Sequence, residues 1–316
     1  MTNTLREHWG LPALQQALQA VEPGLQLEVV ESIDSTNTAL LQRAAAARAA
    51  SAAGEAESLG GVPHGGPHGA PCLLVAERQT QGRGRQGRSW HGRPGSSLTF
   101  SLGLMLAPPD WSGLSLTVGV ALADALDSAR EAAPGPASAL RIGLKWPNDL
   151  WLRDEQAPSG GRKLGGVLIE TGAWAGGPAP SGASAGAPAA PRICVIGVGL
   201  NVGPQIVEEA SSGVAWVQEL QPGLQPRQVL ACVAAPLLRA VRRFERQGFS
   251  EAAAFARRDL LQGRAVSTTL TDLPVGTAQG VDDTGALRVM SPDGALRAVA
   301  GGEVSIRLQP RGPACA

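Results

Sequence analysis

A run of alternating glycine and arginine, GRGRQGRSW from Gly82 to Trp90, is the part of this sequence best suited to chemistry. Its three glycines allow the backbone to approach a ligand closely, and successive N–H groups of such a loop can converge on an anion. Its three arginines add planar donors that match carboxylate and phosphate. Residues 78–109 hold five arginines and no acidic residue, although the chain as a whole carries no net charge. The run therefore predicts a loop that binds anions.

Short polar side chains stand at the start of a predicted helix, in ESIDSTN from Glu31 to Asn37. Ser35 or Thr36 can cap the helix that begins near Asn37. The same groups can instead line a pocket at the helix start, and the residues alone leave both interpretations open.

Three further segments place polar groups at strand ends. KWPNDL, from Lys145 to Leu150, ends a strand with a cation, a proline turn, an amide and a carboxylate, although an ordinary Asn-Asp turn has the same composition. Lys163 begins KLGGVLIE, where it is either an electrophile aimed into a site or a lysine that extends to solvent. Asn201 ends the glycine-thinned strand GVGLNV.

The glycines of the loop also match GxGxxG, the pattern of dinucleotide-binding folds. That pattern needs a strand before it and a helix directly after it, because the helix N-terminus holds the pyrophosphate. Here Gly92-Arg93-Pro94-Gly95 and a predicted strand follow instead. We therefore exclude dinucleotide binding of this type, and no Lys-Ser/Thr pair follows the glycines to make a Walker A loop.

Composition limits the class of protein. The 316 residues are 43% hydrophobic and 17% charged, which fits a globular chain with ample core. No segment approaches the length of an apolar membrane span, and the net charge of zero argues against a nucleic-acid binder. The four scattered cysteines form no metal-ligand pattern, and His64 and His68 are not predicted to bind metal. We expect a reduced, cytoplasmic protein without a structural metal.

The elements that would position these groups form a mixed pattern of helices and strands. Helices are predicted over residues 5–21, 114–130, 226–249 and 251–261, with strands over 27–30, 72–77, 97–106, 140–146, 163–174 and 192–202. The last two strands are expected to pair antiparallel. Residues 44–71 and 176–191 are rich in Ala, Gly, Ser and Pro and are predicted to be inserts. From 263 onward, short strands and DDTG and SPDG turns predict a small β-barrel, with a domain boundary near 262.

Taken in order, ESIDSTN, GRGRQGRSW, KWPNDLW, KLGGVLIE and GVGLNV closely resemble the motifs of bacterial biotin–protein ligases. The resemblance covers about residues 27–308. It implies an α+β fold with a mixed, largely antiparallel sheet flanked by helices, similar to class II aminoacyl-tRNA synthetases. It also implies a catalytic domain over 1–262 and an SH3-like barrel over 263–316. Gln86 stands where the family often has a third consecutive arginine.

The resemblance also implies roles for individual residues. Arg85 and Lys163 are expected to be catalytic, with Mg²⁺ entering with ATP near Asp149. The residues expected to contact biotin are Ser35, Thr36, Asn37, Gln79, Arg83, Gly84, Arg85 and Lys163. Those expected to contact ATP or the adenylate are Arg88, Trp90, Asn148, Asp149, Asn201, Trp216 and Arg307.

The implied reaction activates biotin with ATP to biotinyl-5′-AMP and pyrophosphate, and then transfers biotin to a lysine of a biotin carboxyl carrier domain. The flexible loop would close over the intermediate and exclude water. A lipoate–protein ligase, a biotin-responsive DNA-binding repressor and a non-catalytic biotin sensor are the alternatives. Because only about 26 residues precede the predicted core, we expect a monofunctional enzyme, monomeric or homodimeric, that binds neither nucleic acid nor membrane.

Overall fold

Two β-sheets with helices packed around the larger one make up the fold. The computed structural model describes residues 7–52, 70–128, 140–173, 190–205, 213–301 and 306–308. The larger sheet has seven strands in the spatial order β1-β2-β3-β7-β6-β5-β4. They span Gln26–Ile33 (β1), Cys72–Gln79 (β2), Ser97–Leu106 (β3), Ile142–Lys145 (β4), Asp149–Arg153 (β5), Gly161–Ala173 (β6) and Arg192–Asn201 (β7).

The pairing in this sheet is antiparallel except between β1 and β2, which run parallel. The expected mixed, largely antiparallel sheet is therefore confirmed, including the predicted antiparallel pair of β6 and β7. β5 was not predicted, because only five residues follow the KWPN turn before the chain leaves the sheet. Its pairing with β4 turns the KWPNDL segment into the end of a hairpin.

Helices cover both faces of the sheet. They span Leu11–Gln19 (α1), Thr36–Ala52 (α2), Leu114–Ser128 (α3), Pro226–Gln247 (α4) and Ala252–Arg258 (α5). α1, α3 and α4 bury one face, and α2 buries the other. Along α4, Val229, Val233, Leu237, Val241 and Phe244 recur at helical spacing and are all completely buried, which explains the strongly amphipathic sequence of this helix.

The predicted insert at 44–71 is wrong at its beginning. α2 continues to Ala52, because its alanines are strong helix formers and Ala44, Ala47 and Ala50 repeat on the buried face of the helix. Residues 53–69 lie outside the described part of the chain, as do 174–189 of the second predicted insert, which began at 176.

The smaller sheet is antiparallel, with five strands in the order β11-β10-β9-β8-β12. They span Ala265–Thr268 (β8), Val275–Val281 (β9), Leu287–Met290 (β10), Leu296–Val299 (β11) and Ile306–Leu308 (β12). Hydrogen bonds between described residues join the C-terminal part of the chain to the loop and hairpin above the large sheet. Lys145 Nζ donates to Ile306 O at 2.9 Å, Trp146 Nε1 donates to Gly285 O at 3.0 Å, and Arg85 Nη2 donates to Gly301 O.

Candidate active site

The five motifs of the sequence meet at a single cavity on the large sheet. The start of α2, the end of β2, the β4–β5 hairpin and the middle of β6 and β7 form its walls. The glycine–arginine loop covers it, and Ile306 of the small sheet closes one side. The predicted site residues that line it are Ser35, Thr36, Asn37, Gln79, Arg83, Gly84, Arg85, Arg88, Trp90, Asn148, Asp149 and Lys163.

One end of the cavity is a closed network of neutral polar groups. Gln79 Oε1 accepts from the backbone N–H of Thr36 at 2.7 Å, and Thr36 Oγ1 lies 3.0 Å from the same oxygen. Ser101 Oγ lies 2.6 Å from both Thr36 Oγ1 and Asn37 Oδ1. Ser35, Thr36 and Asn37 are 2–3% exposed, so this network is buried. Both sequence interpretations hold here, because Ser35 Oγ accepts from the backbone N–H of Thr38 at 3.4 Å at the start of α2 and the same polar residues line the cavity.

Two glycines of β7 make room for the walls of the cavity. A Cβ at Gly197 would lie 2.3 Å from Asn37 Oδ1, and a Cβ at Gly199 would lie 2.3 Å from Trp90 Cε2. Any side chain at these positions would therefore displace the amide or the indole. The glycines in GVGLNV thus allow α2 and the loop to approach the sheet.

The glycine–arginine loop is held by its own backbone. Gly84 N donates to Arg88 O at 2.7 Å, Trp90 N donates to Gly82 O at 2.9 Å, and a short 3₁₀ turn spans Arg85–Gly87. Gln86, at the centre of that turn, has φ = 56°, a left-handed conformation that is uncommon outside glycine. This compact turn places Arg83 on one side of the cavity and Arg85 and Arg88 on the other.

Arg83 and Arg85 contact different partners. Arg83 Nη2 donates to both carboxylate oxygens of Glu170, at 2.8 and 2.9 Å. Arg85 Nη1 donates to Asn148 Oδ1 at 3.2 Å, while its Nη2 reaches the small sheet at Gly301 O. Arg85 therefore bridges the loop, the β4–β5 hairpin and the small sheet.

The opposite end of the cavity is cationic. Lys163 Nζ forms an ion pair with Asp149 Oδ1 at 2.8 Å, and Lys145 lies beside it, with its Nζ 5.7 Å from the centre of the Trp151 ring. Burial opposes ionisation of Asp149, but Lys163 and Lys145 outweigh it and hold the pKa of this carboxyl below its usual value. Burial lowers the pKa of Lys145, an effect that Asp149 opposes and Lys163 reinforces. The carboxylate is therefore ionised, and it is the only acid among the described lining residues.

Three predicted site residues are not part of the lining. Asn201 is buried behind the wall, where its Nδ2 donates to Lys163 O at 3.3 Å. Trp216 precedes a 3₁₀ turn at Val217–Glu219, outside the described cavity wall. Arg307 is exposed on β12, next to Ile306, which does line the cavity.

Three residues in or behind the wall were missed by the sequence analysis as site residues: Ser101, Lys145 and Glu170. Ser101 is fully buried, and Glu170 accepts from both Arg83 and Asn37. Ser101 and Glu170 are single polar residues within apolar strands, so no motif marked them. Lys145 does belong to a marked motif, KWPNDL, where its position at the strand end was the available signal.

Within the described residues, no cluster of three or more His, Cys, Asp or Glu could hold a metal ion. His64 and His68 lie outside that part of the chain. No helix among those described has both the length and the apolarity needed to cross a membrane.

Family models match two parts of the chain. Residues 67–177 match the biotin/lipoate A/B protein ligase family, and residues 263–307 match the biotin protein ligase C-terminal domain. The first match includes the glycine–arginine loop, the β4–β5 hairpin and β6. The second begins close to the start of the small sheet.

Similar solved structures share the fold. A biotin protein ligase from Aquifex aeolicus, solved with biotin and ATP, has 23% sequence identity and a TM-score of 0.62, with 90% of this chain and 99% of that chain covered. At this identity the similarity establishes the architecture of a mixed sheet with helices and a C-terminal antiparallel sheet.

Two relatives with assigned functions match nearly the whole chain. The bifunctional ligase/repressor BirA of Escherichia coli is 31% identical over 95% of this chain and 81% of its own length. A biotin–[acetyl-CoA-carboxylase] ligase of Mycobacterium tuberculosis is 32% identical over 83% of this chain and 82% of its own length. On the strength of these relatives, of the two family models and of the motifs gathered at one cavity, the chain belongs to the biotin–protein ligase family.

Proposed function

We propose that this protein is a biotin–protein ligase, which activates biotin with ATP to biotinyl-5′-AMP and transfers the biotinyl group to a lysine of an acceptor protein. The observation that carries the proposal is the division of one cavity into a neutral polar end and a cationic end. A substrate with a polar ring, an apolar chain and a carboxylate, next to a nucleotide, matches that division.

The first step joins two anions. The carboxylate of biotin attacks the α-phosphorus of ATP, the bond to the leaving pyrophosphate breaks, and a mixed anhydride forms. Because the reactants repel each other, the site must concentrate positive charge where they meet. Arg85, Arg88, Lys145 and Lys163 supply it at the cationic end.

Individual roles follow from position. We propose that Ser35, Thr36, Asn37 and Gln79 contact the ureido ring, since they form the neutral end of the cavity. Arg83, Gly84, Arg85 and Lys163 are proposed to contact the biotin carboxylate, and the last two to act on the reacting phosphate. Arg88, Trp90, Asn148 and Asp149 are proposed to contact ATP or the adenylate.

Asn201, Trp216 and Arg307 need separate arguments, because they do not line the cavity. Asn201 is proposed to act through its hydrogen bond to the backbone of Lys163. Trp216 and Arg307 remain proposed adenine and phosphate contacts. Each follows a residue at the site, since Ala215 N donates to Lys163 O at 2.9 Å and Ile306 lines the cavity.

Magnesium would enter with ATP. Mg²⁺ is commonly held by one or two carboxylates together with substrate phosphates, and one carboxylate, Asp149, faces the cavity. Asp149 and the Asn148 amide oxygen fit such an ion, which would neutralise phosphate charge when bound. The protein's own cations hold the reacting groups in place.

In the second step, an acceptor lysine attacks the carbonyl carbon of the mixed anhydride and AMP departs. The carrier domain of a biotin-dependent carboxylase is the proposed acceptor, as the name of the Mycobacterium tuberculosis relative indicates. Until the acceptor arrives, the loop from Gly82 to Trp90 is proposed to shield the anhydride from water. We place this reaction in the cytoplasm, which is consistent with the free thiols of Cys72, Cys194 and Cys232.

The finer features of the architecture are also proposals. We assign the catalytic domain to residues 1–262, with a fold of the class II aminoacyl-tRNA synthetase type. We assign residues 263–316 to an SH3-like barrel. The start of the second family match at 263 supports this boundary.

Incubation with a carrier domain, biotin and MgATP, followed by mass spectrometry of the carrier, tests the proposed function. We expect one biotinyl group on one carrier lysine, and no modification when biotin is replaced by lipoate. Lipoylation in place of biotinylation, or an unmodified carrier, would contradict the assignment. The lipoate alternative is not favoured, because the Mycobacterium tuberculosis relative is named as a ligase for biotin.

A further inference from the structure

Glu170 connects the glycine–arginine loop to the neutral end of the cavity. It lies on β6, and its side chain is 27% exposed. Its carboxylate accepts from Arg83 Nη2 at 2.8 and 2.9 Å and from Asn37 Nδ2 at 2.8 Å. One carboxylate therefore holds the loop that covers the cavity and a side chain of its neutral end.

The orientation of the Asn37 amide depends on this contact. Its Oδ1 lies 2.6 Å from Ser101 Oγ, and its Nδ2 faces the Glu170 carboxylate and Leu168 O. An amide oxygen accepts and an amide nitrogen donates, so a flipped amide would place oxygen against carboxylate. Glu170 and Leu168 O, which can only accept, thus fix which group Asn37 presents, whereas the hydroxyl of Ser101 could bond either end of the amide.

Arg83 keeps N–H donors for a substrate while Glu170 holds it. A guanidinium has five N–H donors in a planar fork, and the contact with Glu170 uses Nη2. The Nη1 and Nε donors therefore stay available for an anion. Glu170 can orient Arg83 without neutralising its capacity to bind a carboxylate.

We propose that Glu170 is a positioning residue that anchors Arg83 and orients Asn37, so that biotin binds to a loop already placed over the cavity. This inference rests on the proposed function for its substrate, but the anchoring itself does not. Without the anchor, biotin must order the loop when it binds. The cost of this ordering weakens binding more than it slows chemistry.

The test uses Glu170→Gln, which removes the charge and keeps the shape. We expect the KM for biotin to rise about tenfold with kcat changed less than about twofold, because a charge-assisted hydrogen bond is lost. Glu170→Asp should restore part of the loss. Glu155→Gln, at an exposed position of the turn between β5 and β6 that does not line the cavity, is the matched control. A lower KM would show that Glu170 competes with biotin for Arg83 and would overturn the proposal, as would an unchanged KM.

Coupling to Arg83 is tested by the double variant. If Glu170 acts through Arg83, Glu170→Gln should add little to Arg83→Ala, whereas independent effects would multiply. If the two fold-changes in KM multiply in the double variant, positioning through Arg83 is refuted.

A second readout needs no substrate. Trypsin cleaves after arginine, and a released loop should be cut about threefold faster after Arg83 and Arg85 in the Glu170→Gln variant than in the native chain. Equal cleavage rates would overturn the anchoring. If the native chain shows no biotin-dependent exchange between ATP and pyrophosphate, the proposed function fails, and the cleavage rates still decide on the anchor.

An independent observation concerns the lysines. The sequence contains two, Lys145 and Lys163, against twenty-five arginines, and both lysines line the cavity. Every other cationic side chain is a guanidinium, which stays protonated and has no lone pair to attack a carbonyl. The exterior of the chain therefore presents no nucleophilic side-chain amine.

This composition matters for an enzyme that makes an acyl-adenylate. In acylation, an amine nitrogen attacks the acyl carbonyl, the bond from that carbon to the phosphate oxygen breaks, AMP leaves, and the amine proton passes to solvent. We infer that intermediate which escapes the cavity cannot form an amide with side chains on the exterior of its own enzyme. This inference also rests on the proposed function.

Lysines introduced at the surface provide the test. Arg239 and Arg246 are exposed on α4, and the double variant Arg239→Lys/Arg246→Lys keeps the charge at both positions. With biotin and MgATP and no acceptor, we expect peptide mapping to find at least about tenfold more biotin on side chains of the variant than of the native chain. Comparable labelling of native side chains, or an unlabelled variant when added serum albumin is labelled, would overturn the inference. Synthetic biotinyl-5′-AMP added from outside repeats the test in case the chain makes no adenylate itself.

Discussion

The two ends of the cavity are built on opposite principles. At the neutral end, the side chains of Thr36, Asn37 and Gln79 are bonded to one another, to Ser101 and to Glu170. At the other end, four cations, namely Arg85, Arg88, Lys145 and Lys163, face a single carboxylate among the described lining residues. The first end is satisfied within the protein, whereas the second is not balanced in charge.

This difference separates recognition from activation. A satisfied network holds its groups in one arrangement before the ligand arrives, so it can select a ring by the pattern of donors and acceptors. An excess of positive charge stabilises whatever anion brings most negative charge, and the reacting carboxylate and phosphate bring the most at the moment when they join. Substitutions at the two ends should therefore differ in both size and kind.

The largest expected effect is at the cationic end. Lys163→Ala should slow formation of biotinyl-5′-AMP by about 10²–10³-fold, as expected for the loss of a cation at the developing charge. Biotin-dependent ATP–pyrophosphate exchange measures this rate, and Arg239→Ala on the exposed face of α4 is the control. A normal rate in the Lys163 variant would end the division of roles between the two ends.

Arg85→Ala should have the next largest effect. Arg85 connects the loop to Asn148 and to Gly301 of the small sheet, so its loss frees the loop from two anchors. We expect the adenylate to dissociate about 10- to 100-fold faster, since truncation of a charged, hydrogen-bonded group mainly raises the rate of dissociation. Release of labelled adenylate after dilution measures this rate. Unchanged retention would mean that the loop is held by other contacts.

Ser101→Ala tests the neutral end. Ser101 is fully buried and lies 2.6 Å from both Thr36 Oγ1 and Asn37 Oδ1, so alanine leaves a buried acceptor unpaired, at a cost of about 1–3 kcal/mol. We expect the KM for biotin to rise about five- to tenfold while kcat stays nearly constant. A fall in kcat as large as that of Lys163→Ala would show that the two ends do not act separately.

The smallest expected effect is a pH dependence. Burial lowers the pKa of Lys145, so this lysine loses its positive charge at a lower pH than an ordinary lysine as the pH rises. Adenylate formation should therefore decline on the alkaline side, by a factor of about two to five, before ordinary lysines titrate. Lys145→Arg keeps the charge and should move that decline to higher pH. An identical profile in both proteins would show that titration of Lys145 does not control the alkaline decline.

The sequence marked both ends of the cavity through motifs, but it missed Lys145 at the cationic end and Ser101 and Glu170 behind the neutral end. The arginines that alternate with glycines, and the lysine that two glycines follow closely, could be recognised because their local composition is unusual. Ser101 and Glu170 sit alone in apolar strands, and their role arises only when β3 and β6 are placed under α2. Such contacts depend on strand register, which the local sequence does not specify.

The fold shows the same limit. Long apolar segments such as β3, β7 and α4 were predicted nearly to their ends, because their periodicity is strong. β5 was missed because it is short, and the helical residues 44–52 were read as an insert because of their alanine content. Trp216 was expected at the site from the resemblance, and it does not line the described cavity.

The seam between the two sheets has a consequence for sequence change. Arg85, Lys145 and Trp146 reach across to the carbonyl oxygens of Gly301, Ile306 and Gly285, and every residue type carries a carbonyl. Substitutions in the small sheet therefore leave these acceptors in place, provided that the path of the backbone is kept. A C-terminal unit transplanted from a distant relative should keep these three hydrogen bonds where its main chain follows the same path. It must also keep a glycine at the position of Gly285, because a Cβ there would lie 2.9 Å from Gly113 Cα.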